Sequence, residues 1–227
     1  MDFVFVAGQS NAVGNPGATS PPGGLPLAAV RFFRHVAGTN KNIQDITHQD
    51  LQISVATDTY NSVELQLGVD LNTVGRTVRI AKAAVNGTAM STWVPSAGTH
   101  YYKLKNAILG ARPQSLVTMN CHLVWLQGEY EATDATETLA LQWASDFTTM
   151  HSALVAFVGR PIRKHICRTM LTLPGGTWIN TVRAQQASVA DSLIDTDDLT
   201  TVDGTHYDAA SLNTLGSRCA ASIIASP

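Results

Sequence analysis

The sequence predicts an α/β fold in which helices cover both faces of a parallel sheet. Five short apolar runs have the length and composition of buried strands, and helical patterns separate them along the chain. The predicted strands comprise residues 3–7, 28–33, 77–85, 117–126 and 161–173. Such alternation is typical of parallel sheets with right-handed crossovers. A length of 227 residues, 44% of them hydrophobic, fits one such unit, so we predict a single domain over residues 1–227.

Each predicted element rests on a local pattern of apolar residues and breakers. Residues 3–7 form an apolar, partly β-branched run that stops at Gly8, as a strand buried on both faces would. Residues 134–157 repeat large apolar side chains at three-to-four spacing, which indicates a helix with one packed face. The other predicted helices comprise residues 62–71, 100–111, 180–190 and 207–224. A glycine- and proline-rich stretch at 15–26 and a long polar stretch at 35–61 predict loops.

The composition argues against several classes of partner and cofactor. A net charge of −2 and an isoelectric point near 6.4 provide no basic surface for nucleic acid or an anionic membrane. No apolar run approaches the ~20 residues that a membrane-spanning helix needs. Three distant cysteines and seven histidines without metal-binding spacing predict neither a disulfide framework nor a metal site. No signal-peptide pattern precedes the first strand, so a trimmed leader, secretion or a place in a phage particle stays open.

Two motifs near opposite ends of the sequence contain candidate catalytic groups. Gly-Gln-Ser-Asn at residues 8–11 stands where the first strand gives way to a helix, at the sheet edge where open α/β folds bind ligands. On local sequence alone, Ser10 is equally a nucleophile or a helix cap. Asp203 precedes His206 by three residues, a spacing that lets the carboxylate contact the imidazole. Together, Ser10, His206 and Asp203 have the residue types of an acyl-transfer triad.

Two further motifs follow predicted strands at the same edge. Asn-Gly-Thr at residues 86–88 follows the third strand, and Trp-Leu-Gln-Gly-Glu at residues 125–129 follows the fourth. With these four blocks the chain resembles the SGNH hydrolases, and within them the carbohydrate acetylesterases related to sialate O-acetylesterase and to family 6 acetylxylan esterases. The resemblance implies a flavodoxin-like three-layer α/β/α sandwich whose five-stranded parallel sheet has the order 2-1-3-4-5. Three positions depart from the family pattern, with Asn86 in place of a glycine, Leu126 in place of a histidine and Val63 in place of a proline.

The resemblance implies a catalytic role for each block. Ser10 would be the nucleophile, His206 the general base and Asp203 the carboxylate that orients the imidazole. The oxyanion hole would consist of the backbone N–H groups of Ser10 and Gly87 and the side-chain amide of Gln127.

Six further residues are candidates for substrate-binding or supporting positions: Gln9, Asn11, Glu64, Thr88, Trp93 and Glu129. We expect the Asn11 side chain to brace its loop. Glu64 resembles the glutamate of a Pro-Glu-x-x-x-Gly pattern in the family, and it either orders the site or is a charge in a first helical turn. Trp93 either floors an acyl or sugar pocket or caps a loop from beneath. Glu129 assists His206, binds substrate or bonds to the loop backbone.

The resemblance implies a serine esterase that removes O-acetyl groups from carbohydrates, of polysaccharide or sialic-acid type, through an acyl-enzyme. The partner is then an acetylated carbohydrate, and neither a metal nor an organic cofactor is needed. Two alternatives remain: a non-catalytic glycan-binding module of the same fold, and a lipase- or thioesterase-type SGNH hydrolase. The polar loops at 15–26 and 35–61 do not favour a long acyl groove. The sequence leaves the oligomeric state, the glycan and the acetylated position open.

Overall fold

A seven-stranded sheet forms the centre of the protein in the computed structural model, which describes residues 1–14, 27–34, 49–51, 61–96, 98–111 and 119–226. The strands, in chain order, are β1 Asp2–Gly8, β2 Leu27–Arg34, β3 Gln49–Leu51, β4 Val78–Ala84, β5 Asn120–Leu126, β6 Ile162–Cys167 and β7 Ser192–Ile194. Their order across the sheet is β3-β2-β4-β1-β5-β6-β7. All neighbours are parallel except β2 and β3, which are antiparallel.

The predicted fold class is confirmed, because β4, β1, β5, β6 and β7 form a five-stranded parallel sheet in the order 2-1-3-4-5. The strands that fill this order differ from the predicted ones. Residues 28–33 were expected beside the first strand, but β1 pairs with β4 on one side and β5 on the other, so β2 lies outside β4. The fifth position belongs to β7, whose three residues are too few to show a strand pattern in the sequence.

The register of the three central strands places their carboxyl ends side by side. Gly8 at the end of β1 is level with Ala84 of β4 and Leu126 of β5. Gly8 has a φ of 140°, and a Cβ atom there would lie 1.9 Å from the Leu126 carbonyl oxygen, so only glycine fits. The segments that follow these strands therefore leave the sheet at one edge.

Seven helices surround the sheet in the described residues: α1 Ser10–Val13, α2 Val63–Thr73, α3 Thr99–Ala111, α4 Glu129–Ala132, α5 Thr138–Val158, α6 Ile179–Val189 and α7 Ala209–Ala225. A short 3₁₀ helix spans Met90–Trp93. Helix α2 packs against α7, and α5 packs against α6. The predicted apolar face of the longest helix is correct, since Trp143, Phe147 and Met150 of α5 are fully buried. That helix begins at Thr138, four residues later than expected.

The core is continuous from β1 through the neighbouring strands to the helices. Phe3 and Phe5 of β1 are fully buried, as are Trp93 and Trp125. All three cysteines are buried as well. None of the helices in the described ranges is long and apolar enough to cross a membrane. The predicted loops at 15–26 and 35–61 lie, apart from β3 and residue 61, outside the described residues.

Candidate active site

A cleft of about 470 Å³ lies at the carboxyl edge of the central strands. Five predicted site residues line it: Gln9, Ser10, Gly87, Glu129 and His206. They come from α1, the loop after β4, α4 and the loop before α7, four segments that are distant in sequence. The fold therefore brings the predicted nucleophile, base and one oxyanion donor to a single concave surface.

The predicted base and its carboxylate partner are in direct contact. His206 Nδ1 lies 2.7 Å from Asp203 Oδ2, and Asp203 Oδ1 accepts the backbone N–H groups of Thr205 and His206 at 2.9 and 2.7 Å. The hydrogen bond to His206, together with these backbone bonds, lowers the pKa of Asp203 to about 2. An ionised carboxylate at Nδ1 favours the tautomer with its proton on Nδ1, which leaves Nε2 as the basic nitrogen. The two side chains are 41% and 50% exposed, so solvent reaches this pair.

Asn11 joins the nucleophile turn to the loop that carries His206. Its Nδ2 donates to Glu129 Oε1 at 2.8 Å and to the Thr205 carbonyl at 3.1 Å, and its Oδ1 accepts the Tyr207 N–H at 3.1 Å. The side chain is 3% exposed. These contacts hold both neighbours of His206 along the chain, so Asn11 links the turn at Ser10 to the loop of His206.

Two buried oxygen atoms at the cleft lack a hydrogen-bond partner among the described residues. One is Oε2 of Glu129, whose other oxygen accepts from Asn11, and the second is Oε1 of Gln9. Burial raises the pKa of Glu129, although its hydrogen bond to Asn11 opposes this shift. Glu129 therefore carries a proton more readily than an exposed carboxyl, and a protonated group can donate as well as accept.

The predicted oxyanion donor Gln127 lies behind the cleft wall and is 1% exposed. Its Nε2 donates to the Thr88 carbonyl at 3.0 Å and to Glu131 Oε2 at 2.6 Å, while its Oε1 accepts from Trp143 Nε1 at 2.8 Å. Both amide hydrogens are thus engaged. Donation to an oxyanion requires the bond to Thr88 to be exchanged for the new one.

The sequence profile described as "Carbohydrate esterase, sialic acid-specific acetylesterase" matches residues 1–225. The chain belongs to this carbohydrate esterase family. It is accordingly an ester hydrolase, and the resemblance to carbohydrate acetylesterases of the SGNH type is confirmed. No curated protein sequence matches the esterase.

Solved structures share the fold of the esterase at low sequence identity. A protein from Arabidopsis thaliana is 17% identical, with a TM-score of 0.77 over 99% of this chain and 98% of its own. A carbohydrate acetylesterase from Xanthomonas citri is 17% identical, with a TM-score of 0.65 over 96% of this chain and 55% of its own. A carbohydrate acetylesterase from Sinorhizobium meliloti is 11% identical, with a TM-score of 0.60 over 99% of both chains. At these identities the likeness establishes the fold alone.

Trp93 lies under the loop after β4 and does not line the cleft of the esterase. It is fully buried, its ring centroid is 5.1 Å from that of Trp125, and its Nε1 donates to Thr88 Oγ1 at 3.1 Å. The sequence left open whether Trp93 floors a substrate pocket or caps a loop from beneath. Its position matches the second interpretation. Thr88 in turn donates to the Val85 carbonyl at 3.0 Å, which closes the loop around Gly87.

In the part of the chain that the structure describes, Glu64 is connected to the segment at Ser10 through a lysine. Lys82 Nζ donates to Glu64 Oε1 and Ser62 Oγ, both at 2.7 Å, and to the Val13 carbonyl at the end of α1 at 3.0 Å. Lys82 and Glu64 are 4% and 3% exposed. A buried ion pair therefore anchors the helix that begins at Ser10. Sequence reasoning missed Lys82, although a lysine within an apolar strand was a visible signal.

Several cleft residues were missed because their local patterns are unremarkable, among them Tyr130, Leu173 and Pro174. Tyr130 follows Glu129 and is 41% exposed at the rim of the cleft, where Leu173 and Pro174 form an apolar wall. Pro174 also packs against the loop of His206, because a Cβ atom on Gly204 would lie 2.9 Å from Pro174 Cγ. The apolar wall thus supports the loop that carries His206.

Proposed function

We propose that the protein is a serine esterase that removes O-acetyl groups from carbohydrates through Ser10, His206 and Asp203. The observation that carries this proposal is the shared cleft of Ser10 and His206, with Asp203 bonded to the far nitrogen of the imidazole. The family supports ester hydrolysis and a carbohydrate substrate.

Acyl transfer from the sugar to Ser10 is the first half of the reaction. His206 Nε2 removes the Ser10 hydroxyl proton while the serine oxygen bonds to the acetyl carbonyl carbon. The carbonyl oxygen becomes an oxyanion. When the tetrahedral intermediate collapses, the bond to the sugar oxygen breaks, and the imidazolium returns the proton to that oxygen. Asp203, ionised well below neutral pH, stabilises the imidazolium in between.

Hydrolysis of the acetyl-enzyme is the second half. A water molecule takes the place of the sugar hydroxyl, gives its proton to His206 and attacks the acetyl carbon. Acetic acid leaves as Ser10 recovers its proton. The chemistry needs no metal or organic cofactor, because every proton and electron pair moves between the substrate, water and the triad.

The oxyanion is stabilised by the backbone N–H groups of Ser10 and Gly87, and by Gln127 once its bond to Thr88 is exchanged. Loss of one such donor typically costs about 100- to 1000-fold in rate. Gly87 supports this role because it lines the cleft with a φ of 61°, a backbone conformation that can point an N–H toward a ligand.

Hydrolysis of p-nitrophenyl esters tests the proposal. We expect wild type to release acetate, Ser10→Ala to lose that activity, and the exposed control Ser152→Ala on α5 to retain it. An acyl series from acetyl to octanoyl separates an acetylesterase from a lipase, since a preference for long chains would contradict acetyl specificity. A folded wild type without turnover would instead favour a glycan-binding module. Acetylated polysaccharide and O-acetylated sialic acid then distinguish the carbohydrate.

A further inference from the structure

We propose that Glu131 is a positioning residue of this reaction: its buried carboxylate orients the Gln127 amide and holds the segment that carries Gly87, so that the oxyanion site is preformed. The inference rests on the proposed function. Glu131 does not line the cleft, and it acts through the residues that it holds.

Glu131 contacts two parts of the site from behind. Its Oε1 accepts the backbone N–H of Met90, and its Oε2 accepts from Gln127 Nε2 at 2.6 Å. Met90 begins the 3₁₀ helix that follows the loop of Gly87, so one carboxylate ties this loop to the segment after β5. Bonds from neutral donors to a carboxylate are about twice as strong as bonds between neutral groups.

The bonds around Gln127 fix which end of its amide faces which neighbour. Trp143 Nε1 can only donate, so it holds Oε1, and Glu131 holds Nε2. A flipped amide would place two donors together at Trp143 and two acceptors together at Glu131. The second hydrogen of Nε2 is left for the Thr88 carbonyl, one residue beyond Gly87. That hydrogen is the one available to an oxyanion, and without Glu131 one of the three bonds that fix the amide is lost.

The burial of Glu131 is costly and is not explained by the chemistry of the triad. The residue is 1% exposed, and burial raises the pKa of its carboxyl to about 7, with the charge of Glu129 adding to the effect. Its contacts in the described residues are neutral donors, so no cation compensates the buried charge there. A core that needed only packing would be better served by an apolar side chain. The need to orient Gln127 accounts for a buried carboxylate at this position.

Steady-state kinetics on p-nitrophenyl acetate test the role. In Glu131→Gln one side-chain oxygen becomes an amide nitrogen, so one of the two donors loses its acceptor. We expect kcat to fall about 10- to 100-fold with KM changed less than about 2-fold, because the oxyanion forms only in the transition state. Glu131→Asp keeps both acceptor oxygens and should recover part of kcat. The control Asp134→Asn lies on the same segment, and among the described residues its side chain bonds to Thr136 alone, so it should match wild type.

A double-mutant cycle with Gln127→Ala separates positioning from general stabilisation. If Glu131 acts through Gln127, then Glu131→Gln lowers kcat by a smaller factor in Gln127→Ala than in wild type, and the loss that remains reports the bond to Met90. Equal and additive losses, or a wild-type kcat in folded Glu131→Gln, would overturn the inference. If Glu131→Gln does not fold, Glu131→Asp in the same cycle decides. If the proposed function itself were wrong, the kinetics would differ from all of these outcomes: wild type would be inactive, or Ser10→Ala would be active.

Discussion

Replacing Asn11 by alanine tests how the catalytic residues are held together. The substitution removes three hydrogen bonds and leaves the Tyr207 N–H, the Thr205 carbonyl and one oxygen of Glu129 without their partner. Each bond contributes about 0.5–1.5 kcal/mol, and buried groups left unsatisfied add to the loss. We therefore expect Asn11→Ala to lower the free energy of unfolding by about 4 kcal/mol. For a chain of this size that corresponds to a melting temperature lower by roughly 8–16 °C.

Calorimetric melting and esterase kinetics check the two consequences separately. Asn180→Ala is the matched control, since Asn180 is exposed on α6, and it should change the free energy by less than about 0.5 kcal/mol. Because Asn11 bonds to both chain neighbours of His206, kcat should also fall at a temperature where the variant is fully folded. A melting temperature within about 2 °C of wild type would refute the reasoning, as it would mean that these bonds contribute little.

Three further predictions follow from the geometry. Asp203→Asn removes the charge that stabilises the imidazolium of His206. Because both side chains are about half exposed, we expect kcat/KM to fall about 100- to 1000-fold, less than the ~10⁴-fold loss for a buried pair. Retained activity would contradict the triad. Gly8→Ala should prevent folding. Gly75→Ala, at a φ of 77° and with no atom within 4 Å of the added Cβ, should lower the free energy of unfolding in urea by about 1 kcal/mol. Equal losses in the two variants would refute the steric argument. Burial raises the pKa of Glu131 from 4.5 to about 7, so the folded protein keeps this proton to a higher pH than the unfolded chain does. The resulting stabilisation of the folded state is fully present below pH 4.5 and is lost as the pH rises through 7. Between pH 4 and pH 8 the stability of Glu131→Gln relative to wild type should therefore rise by about 3 kcal/mol, and a constant difference would contradict the shift.

Local sequence was sufficient for the parts of the site that depend on one strand or one loop. The apolar run before Gly8 predicted β1, and the carboxyl edge of a parallel sheet then placed Ser10 and Gly87 on one surface. The contact of Asp203 with His206 spans three residues, so their spacing permitted it and the Gly-Gln-Ser-Asn block made the pair specific.

Contacts between distant segments could not be predicted from the sequence. The position of β2 depends on which strands occupy the two sides of β1, and no local pattern records that choice. The bonds of Gln127 join it to Thr88 and Trp143, 39 and 16 positions away. The anchoring of α1 by Lys82 likewise depends on a carbonyl 69 positions earlier.

The bond between Asn11 and Thr205 joins residues that are 194 positions apart. A chain that has formed its central strands but has not yet packed the segment before α7 already presents Ser10 at the sheet edge, with no base beside it. If Ser10 and His206 act together as proposed, esterase activity should return during refolding only after this contact has formed, so it reports the joining of the two distant segments, which helix content does not.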